Sequence, residues 1–109
     1  MDQYSQSDLV NHLAKIFPEF ASYWQADIAE DEFPSTSLHS VYMSFLPFLS
    51  RANPTPKQWK RLADHFSEAV AAGGDRENAA DTCFLEALGK GYIARMLRPL
   101  LSKEAKSYI

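Results

Sequence analysis

The residues of this chain that could do chemistry are three histidines, one cysteine and scattered carboxylates. His12, His39 and His65 fall on three separate predicted helices, and no His-x-x-x-His pair exists. Asp64, His65 and Glu68 are close on one predicted helix, but a structural zinc site needs about four ligands and a catalytic site about three. We therefore expect no metal site, and we interpret His65 as a helix-surface histidine beside carboxylates.

Cys83 is the single cysteine, so no internal disulfide can form. It lies on the apolar stripe of its predicted helix, which indicates a buried, inert thiol. No histidine is adjacent in sequence, and a spatial pairing stays open. The Gly73-Gly74 pair lacks the preceding strand and the following Lys-Ser/Thr of a phosphate-binding loop. We expect no catalytic residue and no cofactor, and so no enzyme.

The segment LHSVYMSFLPFL, residues 38–49, is the element that must position the rest. Its apolar residues recur at helical spacing, and Met43 and Leu46 make the helix apolar most of the way round. A helix of this kind needs cover on several sides, so we place it at the centre of the fold. Ser35 or Ser37 can cap it, and Pro47 predicts a kink near Met43.

The remaining helices are predicted from their caps and stripes. Ser5 and Asp8 predict a capping box at the start of a helix over residues 6–17, and a second helix follows from Pro18 to about Ala29. Thr55-Pro56 with Gln58 predicts the start of a helix that ends at Gly73. A fifth helix is predicted from a cap at Asp75 to Gly89, with a short helix over 92–97 and a last turn after 102. The predicted buried face of the fifth helix is Ala79, Ala80, Cys83, Phe84, Ala87 and Leu88.

The fold class predicted from these elements is all-α: a single-domain antiparallel bundle of five to six helices over residues 1–109. A chain of 109 residues buries roughly 65% of the surface that its unfolded form exposes, which is enough for one core without metal or disulfide cross-links. The N-terminus has no signal-peptide pattern, and no apolar run approaches a membrane span. We expect a soluble cytoplasmic protein without a membrane partner.

The charge of the chain is divided along its length. The net charge is −3, but residues 1–50 carry −6 and residues 51–109 carry +3. One interpretation is that the two halves interleave in space and cancel. The other is an acidic patch that attracts a basic partner.

The acids concentrate around the segment that follows the second helix. Asp27, Glu30, Asp31 and Glu32 lie at a predicted helix C-terminus, where the helix dipole disfavours them, so stability does not explain them. Either they keep a solvated loop soluble, or they form a docking surface for a cationic partner. Tyr23 and Phe33 flank the acids as aromatic interface anchors or as core residues.

A nucleic-acid interface is the next alternative. The helices joined at Gly73-Gly74 resemble a helix-turn-helix only loosely, and the would-be recognition helix is acidic, so it would repel phosphates. A better basic patch lies near the C-terminus, although solubilising charge explains it as well. That patch is Lys90, Arg95, Arg98, Lys103 and Lys106.

Several segments together resemble a known group of proteins. They are Pro18-Glu19-Phe20, Glu30 to Glu32, Gly74-Asp75, Asn78 with Phe84-Leu85-Glu86, and Leu97 to Leu101. Over residues 16–108 the chain resembles a family of small, all-helical bacterial proteins of unassigned activity. That family is similar to the immunity proteins encoded beside contact-dependent inhibition or polymorphic toxins. The resemblance implies binding and neutralising a cognate toxin, often a nuclease, and it supplies no catalytic residue.

The leading hypothesis is therefore an immunity protein that binds a cognate toxin domain and occludes its active site. The predicted partner-binding residues are Tyr23, Asp27, Glu30, Asp31, Glu32 and Phe33. The alternative is a helical adaptor or regulatory module for protein interaction, possibly homodimeric. Direct nucleic-acid binding through the C-terminal basic patch is the weakest of the three.

Overall fold

The computed structural model describes residues 4–30 and 36–109, and these residues form seven helices and no strand. The prediction of an all-helical chain is confirmed, and the number of helices is close to the five or six expected. The bounds are α1 Gln6–Ile16, α2 Glu19–Ala29, α3 Leu38–Arg51, α4 Pro56–Ala72, α5 over 74–88, α6 Tyr92–Leu97 and α7 Lys103–Lys106. A 3₁₀ turn, Arg98–Leu100, follows α6.

The starts of α1 and α4 are fixed by local hydrogen bonds, as the sequence predicts. The Ser5 hydroxyl accepts from the Asp8 N–H at 3.1 Å, and the Asp8 carboxylate accepts from the Ser5 N–H at 2.9 Å. Thr55 and Gln58 repeat this exchange at 3.1 and 2.9 Å. Each capping box satisfies two backbone donors that the helix itself leaves unpaired.

The core is organised around α3. Val41 and Phe45 are fully buried, and the Phe45 ring lies 5.1 Å from that of Phe20 and 5.8 Å from that of Phe84. Because α2 and α5 supply these two neighbours, α3 is covered on two sides, which agrees with its predicted central place. The helix continues through Pro47 to Arg51.

Part of α3 is exposed to solvent, so the expectation that neighbouring elements cover it on several sides was too strong. Met43 is 66% exposed, and Pro47, one turn later, is also exposed. Leu46 is only partly buried. The apolar outward face of α3 therefore lies open to solvent along this turn.

Helix α5 is continuous but not regular. Its first part, Gly74–Ala80, is followed by a π-helical turn, Asp81–Leu85, and a last α-helical turn, Glu86–Leu88. A π turn holds one residue more than an α turn, so the positions that follow it face a different way. The predicted buried face is confirmed at Ala79, Ala80 and Phe84 but is wrong at Ala87, which is exposed. Cys83 and Leu88 are only partly buried, and Leu85, which was not predicted, is buried.

The start of α5 also differs from the prediction. The helix begins at Gly74, with Gly73 as its cap, rather than after Asp75. Gly73 has φ +70°, a left-handed conformation that only glycine adopts without strain. This residue joins α4 to α5 in one tight connection.

The folded chain has a radius of gyration of 13.2 Å, close to the value of about 13 Å expected for a compact chain of this length. Among the helices described here, none is both long and apolar enough to pass through a bilayer.

Candidate functional site

The second half of α2 runs antiparallel to α3, and this pairing places the predicted partner-binding residues. The Tyr23 ring lies 5.4 Å from that of Phe48, and the Ser44 hydroxyl donates a hydrogen bond to the Asp27 carboxylate. Tyr23, Asp27 and Glu30 follow one another at i, i+4 and i+7, so they share one face of the helix. The structure thus brings three of the predicted site residues to one edge of the α2–α3 pair.

The two carboxylates on this edge are open to solvent. Asp27 and Glu30 are exposed, and within residues 4–30 and 36–109 neither takes part in an ion pair. In that part of the chain the basic second half therefore does not neutralise them by direct contact. The other predicted residues, Asp31, Glu32 and Phe33, lie outside the described residues.

The open face of α3 adjoins these carboxylates. Met43 precedes Ser44, the residue that holds Asp27, and its side chain is 66% exposed. A contiguous exposed apolar patch rimmed by polar residues is typical of an interaction site. We define the α2–α3 surface as Tyr23, Asp27, Glu30, Met43 and Pro47.

An apolar groove of about 330 Å³ runs along the other side of α3. Tyr92, at its rim, is 53% exposed, and its ring lies 5.9 Å from that of Trp59. The exposed cations Arg51, Lys90 and Arg95 lie on the same or adjoining segments. The groove is lined by Leu46, Ser50, Ala87, Leu88, Gly91, Tyr92 and Ile93.

A second polar cluster joins α1, α3 and α4. The Tyr42 hydroxyl lies 2.8 Å from His65 Nε2, His65 Nδ1 lies 3.2 Å from His12 Nδ1, and the Tyr4 hydroxyl lies 3.3 Å from His12 Nδ1. The Arg76 guanidinium stands 4.0 Å above the Tyr4 ring. These contacts satisfy polar groups that would otherwise be costly to bury.

Burial controls the protonation of this cluster. His65 is 1% exposed, so the prediction of a helix-surface histidine was wrong. Desolvation, together with the neighbouring His12 and Arg76, lowers the pKa of His65 to about 3. Burial also lowers the pKa of His12 and raises the pKa of Tyr42 and of Tyr4. The two histidines and two tyrosines are therefore neutral at pH 7, and their geometry indicates a structural role.

A third cluster contains the single thiol. The His39 Nδ1 atom lies 2.9 Å from Cys83 Sγ, and the Asn78 side-chain amide lies 3.5 Å from His39 Nε2. The Thr82 hydroxyl donates to the Asn78 carbonyl at 3.3 Å. Burial raises the pKa of Cys83. The chain thus holds a thiol, an imidazole and an amide in sequence along one hydrogen-bonded row.

Acidic side chains lie along α5, from Glu77 in its first turn to Glu86 near its end. Burial, with the hydrogen bond and charge of Glu86, raises the pKa of Asp81 to about 6, and the charge of Glu77 adds to this. The Tyr108 hydroxyl donates to the Glu77 carboxylate at 2.6 Å, which raises the pKa of Tyr108 to about 12. This contact ties the C-terminus to α5.

No group of three His, Cys, Asp or Glu side chains in the described part of the chain is arranged to hold a metal ion. Asp64 pairs with Lys60 at 2.7 Å on the surface of α4, while His65 on the same helix is buried against Tyr42. Asp64 and His65 thus point to different sides of α4. All five cations of the C-terminal basic patch are exposed.

The two histidine clusters were missed by sequence reasoning because each joins residues far apart in the chain. His12 and His65 are separated by 53 residues, and His39 and Cys83 by 44. One signal was present in the sequence. His65 comes three residues after Leu62 and directly before Phe66, so helical spacing places it on the apolar stripe of α4. Nothing in the sequence marked the π turn that directs Cys83 towards His39.

Comparisons of the chain with protein-family models, with curated proteins and with solved structures find no match. Its function is therefore argued from its own residues.

Proposed function

We propose that this chain is an immunity protein that binds a cognate bacterial toxin domain in the cytosol and occludes its active site. The observation that carries the proposal is the α2–α3 surface. There two exposed carboxylates, without ion-pair partners in the described part of the chain, border the 66% exposed Met43. The resemblance of the sequence to immunity-like proteins supports the same conclusion.

The charge of this surface suits a partner that binds nucleic acid. A nuclease must hold phosphate groups, so its cleft is normally positive, and an acidic surface is steered towards it by long-range attraction. Asp27 and Glu30 are expected at the rim of such a contact, where they set the association rate. Asp31 and Glu32 follow them directly in sequence and would add to the same field.

The apolar residues on this surface would supply the short-range binding energy. Met43 is flexible and polarisable, and side chains of this kind adapt to irregular partner surfaces. Tyr23 presents a ring already held against Phe48, so little conformational freedom is lost when a partner covers it. Partner binding would bury both side chains while the carboxylates stay at the edge.

The test is binding to the toxin domain encoded beside the gene, measured by surface plasmon resonance at low and moderate salt. Neutralising both rim acids, Asp27→Asn with Glu30→Gln, is expected to lower the association rate constant about fivefold at low salt and to weaken its salt dependence. Met43→Ala is expected to speed dissociation about tenfold. The matched control is Asp75→Asn with Glu104→Gln, which removes two exposed acids elsewhere.

The outcomes are distinct. If the variants of the α2–α3 surface leave the association and dissociation rate constants unchanged, the interface lies elsewhere on the chain. Failure of the chain to bind the neighbouring gene product, or to rescue growth of cells that express it, would remove the immunity function itself.

A homodimeric adaptor is the second candidate, and the apolar groove beside α3 favours it. At helical spacing, the groove lies on one flank of the exposed Met43 and Pro47, and the carboxylates of the α2–α3 surface lie on the other flank. The cations beside the groove and these carboxylates could therefore pair across an antiparallel two-fold contact. Sedimentation equilibrium distinguishes the two. A dimer that Tyr92→Ala dissociates supports this candidate, and a monomer at about 100 µM, well above the dissociation constant of a stable dimer, excludes it.

A further inference from the structure

We propose that Cys83 is a nucleophilic thiol for which His39 is the general base and Asn78 the orienting group, and that it forms covalent adducts with small, soft carbon electrophiles. This site is separate from the α2–α3 surface and does not depend on the proposed function. It rests on the distances that join three side chains from α3 and α5.

The first step is the contact between sulfur and imidazole. His39 Nδ1 lies 2.9 Å from Cys83 Sγ, within reach for direct proton transfer. Both side chains are partly exposed, so a small reagent can approach the sulfur. Burial raises the pKa of Cys83, so the resting group is a thiol, and it needs a base to react at neutral pH.

The second step is the orientation of the imidazole. To accept the thiol proton, Nδ1 must be the unprotonated nitrogen, and Nε2 must carry the hydrogen. The structure places Asn78 Nδ2 beside Nε2. Turning the side-chain amide by 180° puts Oδ1 in that place, where it accepts from Nε2–H and holds the required tautomer. Thr82 satisfies the amide in either rotamer, because its hydroxyl can donate to the oxygen or accept from the nitrogen.

The third step is the backbone that places the sulfur. Cys83 is the middle residue of the π turn Asp81–Leu85, and π turns in helices are frequent at functional sites. A regular helix at this point would keep Cys83 on the apolar stripe, where the sequence predicts a buried thiol. The irregular turn instead presents the thiol to His39 on α3 while Phe84 and Leu85 remain in the core.

The reaction balances without an oxidant. Sulfur bonds to the electrophilic carbon as its proton passes to His39 Nδ1. With an α,β-unsaturated carbonyl compound the carbon–carbon π bond breaks, and the imidazolium returns the proton to the α-carbon. With iodoacetamide the carbon–iodine bond breaks, iodide leaves with the bonding pair, and the imidazolium releases its proton to water.

Two carboxylates lie on the adjoining segments, and the Tyr4 phenol lines the pocket beside His39. Asp75 lines the same surface pocket as His39, and Asp81 is in the π turn with Cys83. Their negative charges favour the imidazolium that forms during the reaction.

The test is alkylation of the full chain by iodoacetamide, followed by intact mass, at pH 7 and pH 10. The chain has one cysteine, so each added mass reports Cys83 alone, and Cys83→Ser gives the background. His39→Ala is expected to lower the rate constant about tenfold at pH 7 but to change it by less than about twofold at pH 10, where hydroxide removes the proton without help.

A loss of rate at pH 7 but not at pH 10 would show that His39 acts as a base rather than as a side chain that only covers the sulfur. If His39 only covered the sulfur, its removal would speed alkylation at both pH values. Asn78→Ala, at an exposed position, is expected to slow the reaction about threefold at pH 7, and the exposed Asn53→Ala serves as its matched control. Should His39→Ala fail to fold, Asn78→Ala decides. Rate constants at pH 7 equal to or above that of the wild-type chain in the folded variants would overturn the proposal.

Discussion

The imidazole of His65 meets that of His12 edge-on, with 4.5 Å between ring centroids and 3.2 Å between the two Nδ1 atoms. One of these rings is completely enclosed and the other reaches the surface. At most one of the two facing nitrogens can carry a hydrogen, so the pair is compatible with neutral rings and disfavours two imidazolium ions. Acid should therefore act on this contact first.

The stability of the fold is expected to fall in mild acid because of His65. Its pKa is about 3 in the folded chain against 6.5 for an ordinary histidine, so between these values the unfolded chain binds a proton that the folded chain does not. Stability is lost as the pH falls from about 6.5 towards 3, by roughly 2 kcal/mol between pH 7 and pH 5.

Urea unfolding at both pH values measures this loss. The variant His65→Gln should remove most of the difference, because glutamine does not titrate. The variant His39→Gln, which replaces a partly exposed histidine, should retain it. If the wild-type chain and His65→Gln lost the same unfolding free energy between pH 7 and pH 5, His65 would be protonated in the folded chain.

Removing the Tyr42 hydroxyl is expected to destabilise the chain without creating a cavity. Tyr42→Phe keeps the ring but leaves the buried His65 Nε2 without its partner at 2.8 Å, a cost of about 1–3 kcal/mol in the free energy of unfolding. Tyr23→Phe, on the half-buried edge of α2, should cost less than about 0.5 kcal/mol. Chemical denaturation of both variants at pH 7 makes the comparison, and similar costs would contradict the buried contact.

Replacing Asp81 by asparagine is expected to stabilise the chain at pH 7. The pKa of Asp81 is raised to about 6 by burial and by Glu86, so at pH 7 the folded chain holds a charge that the unfolded chain tolerates better. This cost disappears as the pH falls through 6 towards 4, because the folded chain takes up the proton first. Thermal melts should show a higher Tm for Asp81→Asn at pH 7 and no gain at pH 4; Asp64→Asn, which is exposed on α4, should show no gain at either.

Because of the π turn, we expect substitutions at two alanines of α5 to change the free energy of unfolding by different amounts. Ala80 is fully buried and Ala87 is exposed, although both belong to the same stripe if the helix is regular. Ala80→Leu should cost about 1–3 kcal/mol in the free energy of unfolding because it overpacks the core. Ala87→Leu should change it by less than about 0.5 kcal/mol. Equal effects, measured by urea titration, would indicate a regular helix instead.

The features predicted correctly from the sequence are those set by neighbours in the chain. The capping boxes of Ser5 and Thr55 need only residues three positions apart, and the apolar spacing of α3 places Phe45 in the core without further information. The contacts of His65 and Cys83 depend on how α1, α3, α4 and α5 pack, and no local pattern encodes that. The partner-binding role of Asp27 and Glu30 stays a prediction, because exposure alone does not reveal what binds.

The irregular turn of α5 also constrains the length of the chain. Deleting one residue between Asp81 and Leu85 would restore regular hydrogen bonding, yet it would rotate everything up to Leu88 by about 100° relative to the preceding turns. Leu85 would then leave its buried position, and the connection from α5 to α6 would change direction. Point substitutions on the outer side of this helix should accordingly be tolerated in natural variants, whereas a gap of a single codon at the same positions should be rare.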